Sequence, residues 1–310
     1  MGHAEPILVT GAAGGVGGVG RLVVELLRGD SRPVRAFVHR EDARARALRE
    51  LGAQVVVGDL TRPDDVSGAL VGCRVMYFGM SLAPDFLEAA ATVATVCQAL
   101  GRLERLVAMS QLTVSRMSAL RVDESHHQRL HWLSEQVLDW SGAPVTHVRP
   151  TVFLENPLFS GLAADSIRRD GTLSLPLGAG RTSPVAARDV ARVVTALLTR
   201  PHRHDCRVYE LTGPRSQDLT AVAAAYARAL DRPVTYVDVP PARWEAEVLA
   251  ATGLTRHVRD HLMVLARMHR ENRFDRLTAT VEEVTGTAAL GVEGYVAEHL
   301  DLFAPLATAR

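Results

Sequence analysis

The residues with the clearest chemical purpose lie near the start of the chain, where Ile7-Leu8-Val9-Thr10 runs into Gly11-Ala12-Ala13-Gly14-Gly15-Val16-Gly17-Gly18-Val19-Gly20. A short β-branched run suits a strand covered on both faces. A glycine-rich backbone directly after it can turn with positive φ and approach a pyrophosphate closely. Arg21 to Leu27 then repeats apolar residues at helical spacing, so amide groups at the helix start would face the anion. Strand, loop and helix thus follow one another in the order a dinucleotide site requires. Two registers fit, Gly11-x-x-Gly14-x-x-Gly17 and Gly14-x-x-Gly17-x-x-Gly20. The first is preferred because the turn must begin at Gly11, which puts Ala13, Gly14, Gly15, Val16 and Gly17 around the pyrophosphate.

Two further positions bear on the nucleotide. Phe37-Val38-His39-Arg40 ends the second apolar run, where an acidic residue selects NAD and an arginine accommodates the 2′-phosphate of NADP. Arg40 therefore favours NADPH over NADH, unless it merely pairs with Glu41 or Asp42. Gly58-Asp59-Leu60 ends the third run, where the Asp59 carboxylate either accepts from the adenine amino group or caps the helix after Pro63.

These residues need a scaffold, and the pattern supplies one. Short apolar runs at Val34–Val38, Gln54–Val57, Arg74–Phe78, Arg105–Met109 and Val145–Arg149 alternate with helical segments at Asp42–Leu51, Pro63–Leu70, Ala83–Leu100 and Gln128–Trp140. Gly52, Gly72, Gly101 and Gly142 stand as helix stops. The alternation predicts a doubly wound parallel sheet with ligands beyond the carboxyl ends of its strands. Residues 1–155 form this domain, a helix near 188–199 and a strand near 207–211 return to it across 185–212, and residues 156–184 and 213–310 form a smaller cover lobe.

Composition narrows the function. The chain of 310 residues is 47% hydrophobic and balances 35 basic against 35 acidic side chains, so no net field gathers nucleic acid or anionic membrane. It contains no lysine, which excludes any lysine-dependent mechanism. Cys73, Cys97 and Cys206 are too few and too scattered for a disulfide framework, and read as buried thiols in a reducing compartment. Without a signal segment or a membrane-length apolar run, a cytoplasmic protein is expected, monomeric or homodimeric, with a small-molecule substrate. His126, His127 and His131, and separately His202, His204 and Cys206, lack a visible fourth ligand, so no metal is expected. No Gly-x-Ser-x-Gly elbow points to a hydrolase.

As a set, Leu8 to Gly17, Val34 to Arg40, Val57-Gly-Asp-Leu-Thr61, Val145 to Asn156, Ser183 to Ala191 and Val208 to Pro214 resemble the short-chain dehydrogenase superfamily. The resemblance is closest to its atypical NmrA-like branch and spans nearly the whole chain. It implies a Rossmann-like α/β fold, NAD(P)H as cofactor, and either reduction of flat acceptors such as quinones and dyes or redox sensing with little catalysis. The superfamily's catalytic tyrosine and lysine positions fall on His127 and His131, one helical turn apart. No tyrosine held by a lysine cation can form there. His131, tuned by Glu135, is a candidate proton donor or cofactor contact. Ser110 matches the superfamily's serine position and either orients a substrate oxygen or caps the next segment. Gly79, Met80, Pro150, Val152 and Phe153 follow strand ends on the cofactor side, with Met80 and Phe153 as walls of the nicotinamide pocket. The expected function is an NADPH-dependent reductase of a planar, electron-poor quinone, azo, nitro or enone compound. The alternative is an NADP redox sensor.

Overall fold

The computed structural model describes residues 5–14, 18–81, 83–120, 125–200 and 207–304. Its first half alternates strictly: β1 (Ile7–Val9), α1 (Val19–Gly29), β2 (Val34–Val38), α2 (Ala43–Glu50), β3 (Gln54–Val57), α3 (Pro63–Leu70), β4 (Val75–Phe78), α4 (Phe86–Leu100), β5 (Arg105–Met109), α5 (His126–Trp140) and β6 (Val145–Pro150). Gly52, Gly72, Gly101 and Gly142 follow four of these helices with φ of 83°, 74°, 61° and 71°. Such angles end a helix at no Cβ cost. The chain continues through α6 (Gly161–Asp170), β7 (Thr172–Leu175), β8 (Arg181–Thr182) and α7 (Ala187–Thr199) to β9 (Val208–Leu211). The large sheet runs β3-β2-β1-β4-β5-β6-β9, all of it parallel. Its strand order reverses beside β1, and a crevice opens at the carboxyl ends there.

Successive strand residues point to opposite faces and feed two cores. Val34, Ala36 and Val38 of β2, Tyr77 of β4 and Val107 of β5 pack with α1 and α7. Phe37, Met76, Phe78, Leu106 and Ala108 pack with α3, α4 and α5 on the other face.

A third core joins Val152 to Leu177 with α8 (Leu219–Leu230), β11 (Thr235–Asp238), α9 (Pro241–Glu247), α10 (Arg256–Arg270), α12 (Val292–Glu298) and α13 (Leu300–Phe303), while β10 (Gln217–Asp218) leads into α8 and α11 (Thr280–Thr285) packs through Val281 and Val284 into the core of α1 and α7. There β11 pairs in parallel with β7, and β10 pairs antiparallel with β8. Neither β7 nor the β8–β10 pair was evident in the sequence pattern. Phe159 lies in this core, whereas Trp140, at the end of α5, is 75% exposed. Cys73 and Cys97 are buried free thiols, and Cys206, His202 and His204 lie outside the described residues. Among the described residues no helix is long and apolar enough to cross a membrane, and no group of three or more His, Cys, Asp or Glu side chains is arranged to hold a metal ion.

Candidate functional site

A cleft of about 370 Å³ opens at the carboxyl ends of β1 to β4. It collects Gly11, Ala13 and Gly14 from the first loop, His39 and Arg40 from the second, Asp59 and Leu60 from the third, and Gly79 and Met80 from the fourth. Gly15, Val16 and Gly17 lie outside the described residues. Ser110, His131, Pro150, Val152 and Phe153 are not part of its wall.

Close packing explains the glycines. The Thr10 hydroxyl donates to the Gly79 carbonyl at 2.8 Å and accepts from the Gly79 N–H at 3.0 Å, joining the ends of β1 and β4. Gly11 turns there with φ 66°, and a Cβ on it would stand 2.5 Å from the Gly79 oxygen. Gly14 closes the turn, its N–H donating to the Gly11 carbonyl at 3.0 Å. Helix α1 comes in against the same carbonyl: a Cβ on Gly20 would lie 2.7 Å from the Gly11 oxygen. The close approach of helix to loop therefore falls at Gly20, in the first turn of α1 and outside the preferred register. Gly18 caps α1 in a left-handed conformation, with no side-chain cap and no acidic residue in the first turn. The first amide groups are thus left to an anion.

Arg40 reaches this cleft without a carboxylate partner among the described residues. The two acids proposed to pair with it are otherwise engaged. Glu41 takes both Arg49 nitrogens at 2.5 and 2.7 Å. Asp42 caps α2 through the amides of Arg44 and Ala45 and pairs with the Arg44 side chain at 2.5 Å. Arg44 also lines the cleft and donates to the Ala13 carbonyl at 2.8 Å, fastening α2 to the glycine loop. Sequence reading missed it, although its place four residues after Arg40 on the next helix was a usable signal. Asp59 does not cap α3, whose N-cap is Arg62. One of its oxygens accepts from the Thr61 N–H at 2.9 Å and hydroxyl at 2.8 Å, bonds that hold its carboxyl below the usual range. Its other oxygen has no such bond, so the ionised side chain retains an acceptor at the cleft wall.

The residues expected at the reacting end lie deeper. Ser110 follows β5 and is 3% exposed. Its hydroxyl has no partner and does not cap the next helical turn (Leu112–Arg116). Pro150 ends β6, and Val152 and Phe153 are held beside Val185, whose N–H donates to Val152. His131 is buried against Phe86, ring centroids 4.1 Å apart, and its Nε2 lies 3.1 Å from Nε2 of His127. Burial, with His261 nearby, pushes its pKa down to about 3, and burial also lowers that of His127. His131 is therefore neutral at pH 7 and no imidazolium acid. Nor does Glu135 tune it, because that carboxylate is bound bidentately by Arg149 at 2.9 and 2.5 Å.

The residues at the cleft fit a dinucleotide: a turn with no room for a Cβ at Gly11 or Gly20, an uncapped helix start, and a guanidinium without a carboxylate partner among the described residues. Comparison with known proteins agrees. Residues 14–201 match the model of a family described as NAD(P)H-binding. The chain is 30% identical over 292 residues to an NAD(P)H azoreductase of Xenophilus azovorans, covering 94% of this chain and 97% of that one. It is likewise 30% identical over 303 residues to a (4-alkanoyl-5-oxo-2,5-dihydrofuran-3-yl)methyl phosphate reductase of Streptomyces griseus, covering 96% and 99%. In fold it is similar to an NADPH-dependent quinone oxidoreductase of Escherichia coli solved with NADPH, with a TM-score of 0.79 at 21% identity over 95% of this chain and 99% of that one.

Proposed function

The chain belongs to the NAD(P)H-binding family, in the NmrA-like branch of the atypical short-chain dehydrogenases, and on that footing we propose that it is an NADPH-dependent reductase of planar, electron-poor small molecules. When bound, the nicotinamide supplies a hydride. The protein's part is to hold, orient and exclude water. Gly11, Gly14 and the open amides of α1 bind the pyrophosphate, Arg40 binds the 2′-phosphate, and Asp59 and Leu60 meet the adenine. Beyond Met80, Ser110, Pro150, Val152 and Phe153 would hold the nicotinamide, with the second lobe over the acceptor.

The observation that carries the acceptor class is the character of the His127–His131 pair. Where relatives in the wider superfamily would place a tyrosine and a lysine, this chain has two neutral, buried imidazoles and, in its whole length, no lysine. An unactivated ketone or alcohol needs a strong local acid or base. A quinone, azo, nitro or enone acceptor delocalises the incoming charge itself. The relatives named for an azo and a butenolide substrate support this reading. The test is NADPH oxidation by the purified protein against quinones, azo dyes, nitroaromatics and enones, with NADPH and NADH affinities measured in parallel. Saturable turnover on one class is expected. Tight binding with no turnover on any would favour an NADP-sensing protein instead.

A further inference from the structure

Reduction of a neutral acceptor by hydride leaves a negative charge that must take up a proton. Of the six histidines on helices α5 and α10, five form a series graded from solvent to core: His126 is exposed, His257 and His261 are half-buried, and His127 and His131 are buried. Ring centroids are 6.4 Å apart for His126–His257, 6.1 Å for His257–His127, 5.0 Å for His261–His127 and 4.5 Å for His127–His131. The 3.1 Å contact between Nε2 atoms means that one of the inner rings donates its N–H to the other. Both inner rings have an Nδ1 without a partner, as does Nε2 of His257. The inner end of the ladder, His131, packs at a tilt against Phe86, and the residue before Phe86, Asp85, lines the cleft wall.

We propose that this histidine ladder carries the proton of the reduction from solvent to the acceptor; the inference rests on the reductase reading above. As the acceptor gains its hydride, the atom that becomes negative takes the Nδ1 proton of His131. The Nε2 of His131 takes a proton from Nε2 of His127, and His127 is recharged at Nδ1 from water through His257 or His261. Each ring gives one proton as it receives one, so neither imidazolate nor imidazolium accumulates. Burial disfavours the charged form at His127, His131 and His261 alike, and a relay by tautomer exchange is the form of conduction it permits. One solvent proton is consumed per hydride.

The test compares a neutral azo dye or enone with a cationic triarylmethane dye, which becomes neutral on accepting hydride and needs no proton. His131→Gln and His127→Gln should lower kcat for the neutral acceptor at least ten-fold relative to the cationic dye, with NADPH affinity retained. Equal losses on both acceptors, or a loss confined to NADPH affinity, would overturn the relay. Because either buried substitution can compromise folding, the wild-type chain is also measured in H2O/D2O mixtures. A curved dependence of kcat on deuterium content, from several protons in flight, is expected, and a straight line or no isotope effect refutes it. Absence of wild-type turnover on every acceptor would fail the reductase reading itself and take the relay with it.

Discussion

Replacing Arg40 by alanine should separate the two nicotinamide cofactors. A charge-assisted hydrogen bond contributes about 1.5–3 kcal/mol, which corresponds to about ten- to 150-fold in affinity. Arg40 is exposed, and screening by water and salt moves the expectation to the lower end, about ten-fold. Its neighbour Arg44 is a poor substitute, because it would have to abandon Asp42 and the Ala13 carbonyl. Titration of intrinsic fluorescence or calorimetry with NADPH and NADH at low and high salt provides the assay. NADPH affinity should fall about ten-fold and lose much of its salt dependence, while NADH binding stays within about two-fold. Equal losses for the two cofactors would refute the assignment of Arg40 to the 2′-phosphate.

Gly20→Ala forces a methyl group against the Gly11 carbonyl, so stability should fall by about 1–3 kcal/mol and NADPH affinity more than ten-fold; an unchanged denaturation midpoint would show that the helix does not approach the loop so closely. His131, His261 and His269 have folded pKa values lowered to about 3, 4 and 4 from 6.5. They bind protons in the unfolded chain before the folded one, so stability is full above pH 6.5 and is lost as pH falls toward 4. Each adds up to about 1.4 kcal/mol per pH unit in that window, and denaturant titrations at pH 7, 6 and 5 should show the decline, with a flat profile arguing against burial of these rings. Glu135→Gln leaves Arg149 without its carboxylate and should cost about 3 kcal/mol without shifting the pH profile of turnover; a shifted profile would return Glu135 to the role of tuning His131.

The alternating sheet was legible because each strand is a compact apolar run and each helix carries its own stop, as the positive φ of Gly52, Gly72, Gly101 and Gly142 shows. Helix starts were less legible. α5 begins at His126 through a capping box between Ser125 and Gln128, two residues ahead of the apolar pattern. Arg40 and Asp59 could be placed at strand ends, but what each pairs with is a matter of side-chain competition: Glu41 and Asp42 could serve any of several arginines, and only the fold assigns them to Arg49 and Arg44. The close approach of Gly20 to the Gly11 carbonyl was not legible, because spacing alone cannot tell a glycine near a phosphate from one facing a carbonyl. The histidine ladder was invisible for a related reason. Its two halves lie some 130 residues apart on α5 and α10, and nothing local in either segment announces the other.

The packing of α1 against α7 has a bearing on how the chain is made. The apolar stripe of Val19, Val23, Val24 and Leu27 is matched by Val190, Val193, Val194 and Leu197, and the segment that builds the second lobe's first strands lies between them in sequence. During synthesis the first helix therefore leaves the ribosome with its sticky side uncovered and must wait for most of two hundred residues before its natural cover arrives. Contacts of such separation are slow to form, and an exposed stripe of this kind invites association with other chains. A fragment ending near residue 155 would carry the whole nucleotide crevice and still keep that stripe bare, lacking both α7 and the edge strand β9. Such a fragment is expected to aggregate, and the growing chain to depend on chaperones until the second lobe has been threaded and the sheet closed.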